Sequence, residues 1–185
     1  MQLNSLVAAL LLTLGALASL PISLHAATAY ELDRDGRAAL HELYLKNPKA
    51  AEIANQSAAV LIFPTVVKAG FIFGAQGGEG VLLSNGRNYG YYHTSAISYG
   101  MQAGAQKFGY ALFFTNRKAL SYLKKSGGWE IGVGPSIVVV DAGVARTLTS
   151  TTLQDDIYAF IFSQKGLMAG LGLQGTKITQ YTPDK

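Results

Sequence analysis

Three strand-length segments in the second half of the chain, built from glycine, aromatic and β-branched residues, most restrict the folds that it can adopt. They are Gly128-Trp-Glu-Ile-Gly-Val-Gly-Pro-Ser136, Asp155-Asp-Ile-Tyr-Ala-Phe-Ile-Phe162 and Lys165-Gly-Leu-Met-Ala-Gly-Leu-Gly-Leu-Gln-Gly175. β-Branched and aromatic residues favour strands, and glycines among them permit bends and the close approach of a second layer. Side chains of the kinds that perform catalysis are scarce in these segments. The pattern therefore predicts a β-sheet that binds a partner without breaking bonds in it.

The beginning of the chain has the layout of a secretory signal. An apolar run over Leu6–Leu20 is followed by small residues, and cleavage after Ala26 or Ala29 suits this layout. The run is shorter than the roughly 20 residues needed to cross a bilayer. We therefore predict a signal peptide over 1–29 and one mature domain over 30–185, secreted across the inner membrane to the periplasm or cell envelope.

The residue inventory gives little support for metal or cofactor chemistry. The chain contains no cysteine and, after the predicted signal, only His41 and His93 as histidines, too few nitrogen and sulfur ligands for a transition-metal site. The run Gly170-Leu-Gly-Leu-Gln-Gly175 matches a nucleotide-binding fingerprint, but strand-like residues follow it where that fingerprint requires a helix. We expect neither a metal nor a cofactor.

A hydrolytic site has one conceivable location, around His93. Ser95 lies two residues further on and would share a strand face with it, with Asp141 or Asp155 as the third member. No nucleophile elbow accompanies these residues, so the preferred interpretation is a hydrogen-bonding or surface histidine. The sequence predicts a protein that is not an enzyme, and a hydrolase is the third of its functional hypotheses.

Positive charge is concentrated in the middle of the chain. Segment 57–129 has a net charge of +6, with Glu79 as its one acid, whereas segment 31–52 carries five acids against four cations. Such a basic segment favours anionic partners, among them lipid headgroups and polyanions. Secretion argues against nucleic acid. The cations of the basic segment are Lys68, Arg87, Lys107, Arg117, Lys118, Lys124 and Lys125.

Acidic residues at two places admit more than one interpretation. Glu79 would pair with Lys68 or Arg87, or lie on the surface of a turn. Asp155 and Asp156 would order a turn or cap, which we prefer, or bind a cation.

Hydrophobic patterning and turn residues predict one α+β domain. We expect a mostly antiparallel curled sheet, a sandwich or partial barrel, with N-terminal helices and one inserted basic helix. The predicted helices are 31–46, 48–55 and Arg117–Lys125, the last capped by Asn116. The predicted strands are 58–63 and 65–73, separated by Pro64, a hairpin turning at Asn85-Gly86, a long strand over 98–114, and runs over 129–140, 157–164, 167–173 and 176–181.

Four motifs resemble those of a known family. They are Val60-Leu-Ile-Phe-Pro-Thr-Val-Val-Lys-Ala-Gly-Phe71, Gly109-Tyr-Ala-Leu-Phe-Phe114, the Gly128–Ser136 segment and Tyr158-Ala-Phe-Ile-Phe-Ser-Gln-Lys-Gly-Leu-Met-Ala-Gly170. In this order, over about 40–179, they resemble the SYLF domain of bacterial secreted proteins and of eukaryotic membrane-trafficking and actin-associated proteins. The resemblance implies a non-enzymatic domain that binds phospholipids, phosphoinositides in eukaryotic members. Those ligands, and the actin bound by some relatives, are not expected for a bacterial envelope protein.

These observations lead us to expect a protein that binds anionic phospholipid or a membrane surface. The alternative is a structural or adaptor protein that binds another envelope protein or a polyanionic glycan through the same surface. The predicted contact residues are the cations Lys68, Lys107, Arg117, Lys118, Lys124, Lys125 and Lys165 and the rings Tyr91, Tyr92, Phe108 and Tyr110.

Overall fold

A computed structural model describes residues 27–70, 73–99, 104–149, 153–166 and 173–184. Residues 1–26 of the predicted signal over 1–29, and nearly all of the predicted strand over 167–173, lie outside the described residues. The helices are α1 (Ala29–Lys46), α2 (Pro48–Ala54), α3 (Arg117–Ser121), continued by a 3-10 turn (Tyr122–Lys124), and α4 (Ala142–Thr147). The strands are β1 (Ala59–Gly70), β2 (Phe73–Ser84), β3 (Arg87–Tyr99), β4 (Gly104–Phe114), β5 (Trp129–Glu130), β6 (Ile137–Val139), β7 (Ile157–Gly166) and β8 (Lys177–Tyr181).

The described strands form one curled eight-stranded sheet with the order β5-β8-β3-β2-β1-β4-β7-β6. All neighbouring strands are antiparallel except β6 and β7, which are parallel. The predicted α+β class is therefore confirmed. The sheet corresponds to the partial-barrel alternative of the sequence prediction.

Side chains alternate between the two faces along each strand, and each face carries a cluster of buried apolar residues. The inner face, which includes Leu61, Phe63 and Leu112, packs against α3, the 3-10 turn and the loop around Trp129. The outer face, which includes Ile62 and Phe113, packs against α1, α2 and α4. The inner face is the one that carries the candidate site described below.

Helix α1 forms where the sequence pattern predicts it. A capping box starts it: the Thr28 hydroxyl accepts a hydrogen bond from the Glu31 amide, and the Glu31 carboxylate accepts one from the Thr28 amide. Gly36 faces the sheet, and a Cβ added there would lie 2.4 Å from a methyl group of Val81. The glycine therefore allows the helix to pack closely against β2.

The tight hairpin predicted at Asn85-Gly86 joins β2 to β3. Asn85 has a φ of 49° and Gly86 a φ of 72°, the positive values that these residue types tolerate in such turns. The Arg37 guanidinium donates a hydrogen bond to the Gly86 carbonyl at 2.8 Å. We call this end of the sheet the hairpin end, and the opposite end, where β1 and β3 finish and β2 and β4 begin, the far end.

Two predicted boundaries are wrong. Pro64 does not separate two strands, because β1 continues through it with a bulge, seen as a register shift between Ile62 and Thr65 against β2; proline lacks the N–H that an uninterrupted ladder needs. The predicted strand over 98–114 is two strands, since β3 pairs with β2 and β8 whereas β4 pairs with β1 and β7.

The predicted strand over 129–140 is also shorter than expected. It is interrupted at Gly132 and Gly134, which have φ values of 104° and 96°, values that favour glycine and break a ladder. Helix α4 follows it and was missed by the sequence analysis. The Asp141 carboxylate caps this helix by accepting hydrogen bonds from the Gly143 and Val144 amides.

Candidate functional site

A cleft of about 720 Å³ lies between α3 and the inner face at the hairpin end. Helix α3 and the 3-10 turn contribute Arg117 and Lys124, both exposed, and the sheet contributes an apolar wall that includes Leu82. Among the described residues that line the cleft, no carboxylate is present. The cleft therefore has positive charge at its mouth beside an apolar wall. Its remaining lining residues are Ser57, Ala58, Ala59, Ser84, Asn85, Tyr89, Tyr92, Leu120, Ser121 and Gln180.

The sequence around α3 explains why its cations face the cleft. The Asn116 side chain caps the helix by accepting a hydrogen bond from the Ala119 amide at 2.8 Å. Ala119 and Leu123 are buried in the inner-face core, so the apolar side of this short helix rests on the sheet. Arg117 and Lys124 are left at the border of the cleft.

Asp156 ties α3 to the rest of the fold. Its carboxylate accepts hydrogen bonds from the Asn116 side-chain amide at 2.7 Å and from the Ser136 backbone amide at 3.0 Å. The hydrogen bond from Asn116 contributes most, and the one from Ser136 next, to holding the pKa of the Asp156 carboxyl below its usual value. The carboxylate thus orders a junction between α3, β7 and the loop before β6, in keeping with the preferred turn or cap interpretation.

The other two cations of this segment do not line the cleft. The ammonium of Lys125 lies 3.8 Å from the centre of the Tyr122 ring, a cation–π arrangement. Lys118 is exposed, and its charge contributes to the lowered pKa of Asp156. The prediction that the whole basic helix presents one surface is therefore too broad, because the four cations point in more than one direction.

Three of the four aromatic residues predicted to lie at a membrane surface are core residues. Tyr92, Phe108 and Tyr110 are buried on the inner face, and the Tyr110 hydroxyl donates a hydrogen bond to the Thr94 hydroxyl at 2.5 Å. Burial raises the pKa of Tyr110 above its ordinary value. These interfacial assignments are corrected for a physical reason: the alternation along β3 and β4 points these rings into the core. Tyr92 alone also borders the cleft.

Tyr91, the fourth ring, lies on the outer face. It is half-buried, and its hydroxyl donates to the Ala29 carbonyl at 3.3 Å. The exposed aromatic side chain at the cleft is instead Tyr89, which the sequence analysis missed. A Tyr-Gly pair beside a hairpin was the available signal, since Gly90, with a φ of 145°, lies where the β2–β3 register shifts.

Lys68 occupies the inner face near the far end. Its direct neighbours across the sheet are Gln76 on β2 and Gln106 on β4, and all three side chains are buried. Gln76 donates a hydrogen bond at 3.4 Å to the hydroxyl of Thr176, which is also buried. We call these four buried residues the polar row. The two glutamines were not identified from the sequence.

Lys107 and Lys165 lie on the outer face, directly opposite each other on β4 and β7. Both are exposed. Apolar residues are also exposed on the outer face towards the far end: Val67, opposite Lys107 on β1, and Ile97, which is 88 % exposed. This surface lies on the opposite side of the sheet from the cleft, so the predicted cations do not form one patch.

The described residues around His93 do not form a hydrolytic triad. His93 Nδ1 lies 3.8 Å from Glu79 Oε1, and its ring stacks on Tyr181 with centroids 3.6 Å apart. The Asp141 carboxylate is used in capping α4. Glu79 accepts a hydrogen bond from the Ala27 amide. The described contacts include no pairing of Glu79 with Lys68 or Arg87.

The described segments contain neither a metal-binding cluster nor a membrane-spanning helix. No cluster of three His, Asp or Glu side chains there could hold a metal ion. None of the described helices combines the length and apolarity required to traverse a membrane.

Comparison with protein-family models gives a match to the second half of the chain. The family model Ysc84, described as "Las17-binding protein actin regulator", matches residues 95–184. This range contains the end of β3, then β4, α3 and the 3-10 turn with Arg117 and Lys124, and the described strands after them. No curated protein matches the chain.

Proposed function

The C-terminal half of the chain belongs to the Ysc84, or SYLF, family, as three of the four motifs predicted, and on this premise we propose that the protein binds anionic phospholipid without altering it chemically. The observation that carries the proposal is the cleft, in which Arg117 and Lys124 border an apolar wall and no described lining residue is acidic. The family's association with lipid and actin supports a binding role.

The chemistry of the cleft suits the headgroup region of a phospholipid. A guanidinium forms paired hydrogen bonds with phosphate oxygens, and an ammonium adds a second positive charge. Leu82 and Leu120 supply apolar contacts for the part of the lipid next to the headgroup. The phenol ring of exposed Tyr89 is of the kind that favours a boundary between water and hydrocarbon.

The proposed setting is the bacterial cell envelope, since the predicted signal over 1–29 would direct the chain across the inner membrane. The family is described as a protein-binding actin regulator, so a protein partner is the second candidate function. It would be an adaptor role of the kind set out above, in which the same cations contact an acidic surface of an envelope protein.

Vesicle flotation tests the proposal. The protein would be mixed with phosphatidylcholine vesicles in which phosphatidylglycerol replaces the neutral lipid in steps. Each cation at a membrane surface contributes about 1 kcal/mol, so the double variant Arg117→Gln/Lys124→Gln should bind about 30-fold more weakly. The matched control is Arg146→Gln/Lys177→Gln, which removes the same charge from two exposed positions outside the cleft.

The expected result is binding that rises with the phosphatidylglycerol content, falls with added salt and is lost in the cleft variant alone. Binding that ignores lipid charge and salt would reject the lipid proposal and leave the protein partner as the better candidate. Equal losses in the cleft variant and its control would show that net charge, and not the cleft, determines binding.

A further inference from the structure

The polar row presents a charge that the described structure does not neutralise. The Lys68 side chain is 8 % exposed, and none of the described ion pairs or hydrogen bonds involves its ammonium. Lysine is rarely buried in proteins unless it is paired, because removing an ammonium from water is costly. Gln106 adds a second unmet group, since its Oε1 is buried without a hydrogen-bond partner.

From this arrangement we propose that Lys68, Gln76 and Gln106 form a second ligand site, which takes a single phosphate group. Lysine is a common point-charge ligand for phosphate, and the two flanking amides carry N–H donors for its oxygens. A phosphate monoester has a second pKa of about 6 and retains an O–H in its monoanion, and this O–H can donate to Gln106 Oε1. The three side chains thus supply a charge, donors and an acceptor to one small oxyanion.

Glycines beside the polar row leave room for such a group. The next inner-face positions towards the far end are Gly104, Gly70 and Gly74, on the same three strands as Gln106, Lys68 and Gln76. No described side chain on these strands therefore stands between the row and the end of the sheet. At Gly70 a side chain is excluded, since an added Cβ would lie 2.4 Å from the Gly74 Cα.

The second site is distinct from the cleft. Ala59, which lines the cleft, and Lys68 are nine residues apart on β1, a separation of roughly 30 Å at the usual rise per residue of a strand. The site on the polar row does not depend on the cleft binding lipid. A phosphate could reach it as the headgroup of a phospholipid or as the free ion, and the two sources are separated by the choice of probe.

Isothermal titration calorimetry with two probes tests this inference: dihexanoyl phosphatidic acid at concentrations where it is monomeric, and inorganic phosphate. The wild type should bind at least one of them, and Lys68→Met should bind it about 30-fold more weakly or worse, as expected for loss of a buried charged partner. Binding of both probes would indicate recognition of phosphate itself, and binding of the lipid alone would indicate recognition of a headgroup. The control is Lys177→Met, an exposed lysine on the outer side of β8, which should bind as the wild type does.

A second variant guards against a folding defect. Gln106→Glu places a carboxylate beside Lys68, so it should fold at least as well as the wild type and still lose the probe, because the ammonium becomes paired within the protein. Lys68→Met should keep or raise the thermal midpoint, since it removes a buried charge that has no described partner.

The inference is overturned if neither probe binds the wild type, or if Lys68→Met or Gln106→Glu binds as tightly as it does. The double variant Arg117→Gln/Lys124→Gln separates the two proposals. It should bind the soluble probe normally while it fails to float with vesicles, so failure of one site is distinguishable from failure of the other.

Discussion

The two ends of the inner face both carry positive charge, but they expose it in opposite ways. At the hairpin end, Arg117 and Lys124 are exposed on a short helix whose apolar residues rest on the sheet. At the far end, Lys68 belongs to a strand, and strand alternation turns it into the protein beside two buried amides. The same residue type therefore predicts a surface contact in one place and an enclosed site in the other, and the supporting element decides which.

The region between the two ends is filled by large apolar side chains, and this region offers the largest effect. Phe108 is buried among the inner-face core residues. Its replacement by Ala should lower the free energy of unfolding by about 3–5 kcal/mol, the usual cost of removing a buried phenylalanine side chain. Urea denaturation followed by circular dichroism measures this change.

The matched control for Phe108→Ala is Tyr89→Ala at the hairpin end. Tyr89 is exposed, so its loss should change the free energy of unfolding by no more than about 0.5 kcal/mol. If Phe108→Ala instead kept full stability and lost vesicle binding, the ring would be interfacial. The contrast between an apolar core in the middle of the inner face and positive charge at its two ends would then be wrong.

A smaller effect is expected where Asp156 holds the hairpin-end cleft together. Replacement of Asp156 by Ala removes the acceptor for the Asn116 amide and the Ser136 backbone amide, which should cost about 1–2 kcal/mol of stability for these partly exposed charged hydrogen bonds. Chemical denaturation measures it, with Asp155→Ala as the neighbouring control. Vesicle binding should fall as well, because α3 would lose part of its anchor.

The pH dependence of this effect has a defined sign. Because the folded-state pKa of Asp156 is lowered, its contribution to stability is present above the ordinary aspartate pKa of about 3.9 and is lost as the pH falls through the lowered folded value. The stability difference between the wild type and Asp156→Ala should therefore be constant near neutral pH and shrink below about pH 4. A difference that stays constant to lower pH would show that the ionised carboxylate is not the stabilising group.

Local signals explain which parts of the fold the sequence predicted. The hairpin at Asn85-Gly86 and the Asn116 cap each depend on residues a few positions apart, and both are found in the structure. The division of 98–114 between β3 and β4 depends on which distant strands each half pairs with. No pattern within the segment itself contains that information.

The candidate sites show the same limit. Charge identified Arg117, Lys124 and Lys68 in advance, but it could not show that the first two border a cleft while the third is enclosed. Gln76 and Gln106 carry no charge and lie among glycines and alanines, so only the strand register reveals that they flank Lys68. Phe108 was misassigned because an aromatic residue next to a lysine suits either a core or an interface.

The smallest predicted effect distinguishes the cleft from the basic helix as a whole. Lys118→Gln/Lys125→Gln removes the same charge as Arg117→Gln/Lys124→Gln from the same segment, but neither lysine lines the cleft. Charges outside the contact act only through the salt-screened field, whose range is about 10 Å at 0.1 M salt, so vesicle binding should weaken less than about twofold. Flotation of the two variants side by side measures this. If the Lys118/Lys125 variant lost as much binding as the cleft variant, the lipid would contact the outer side of α3, and the exposed cations of the hairpin end would act as a flat patch.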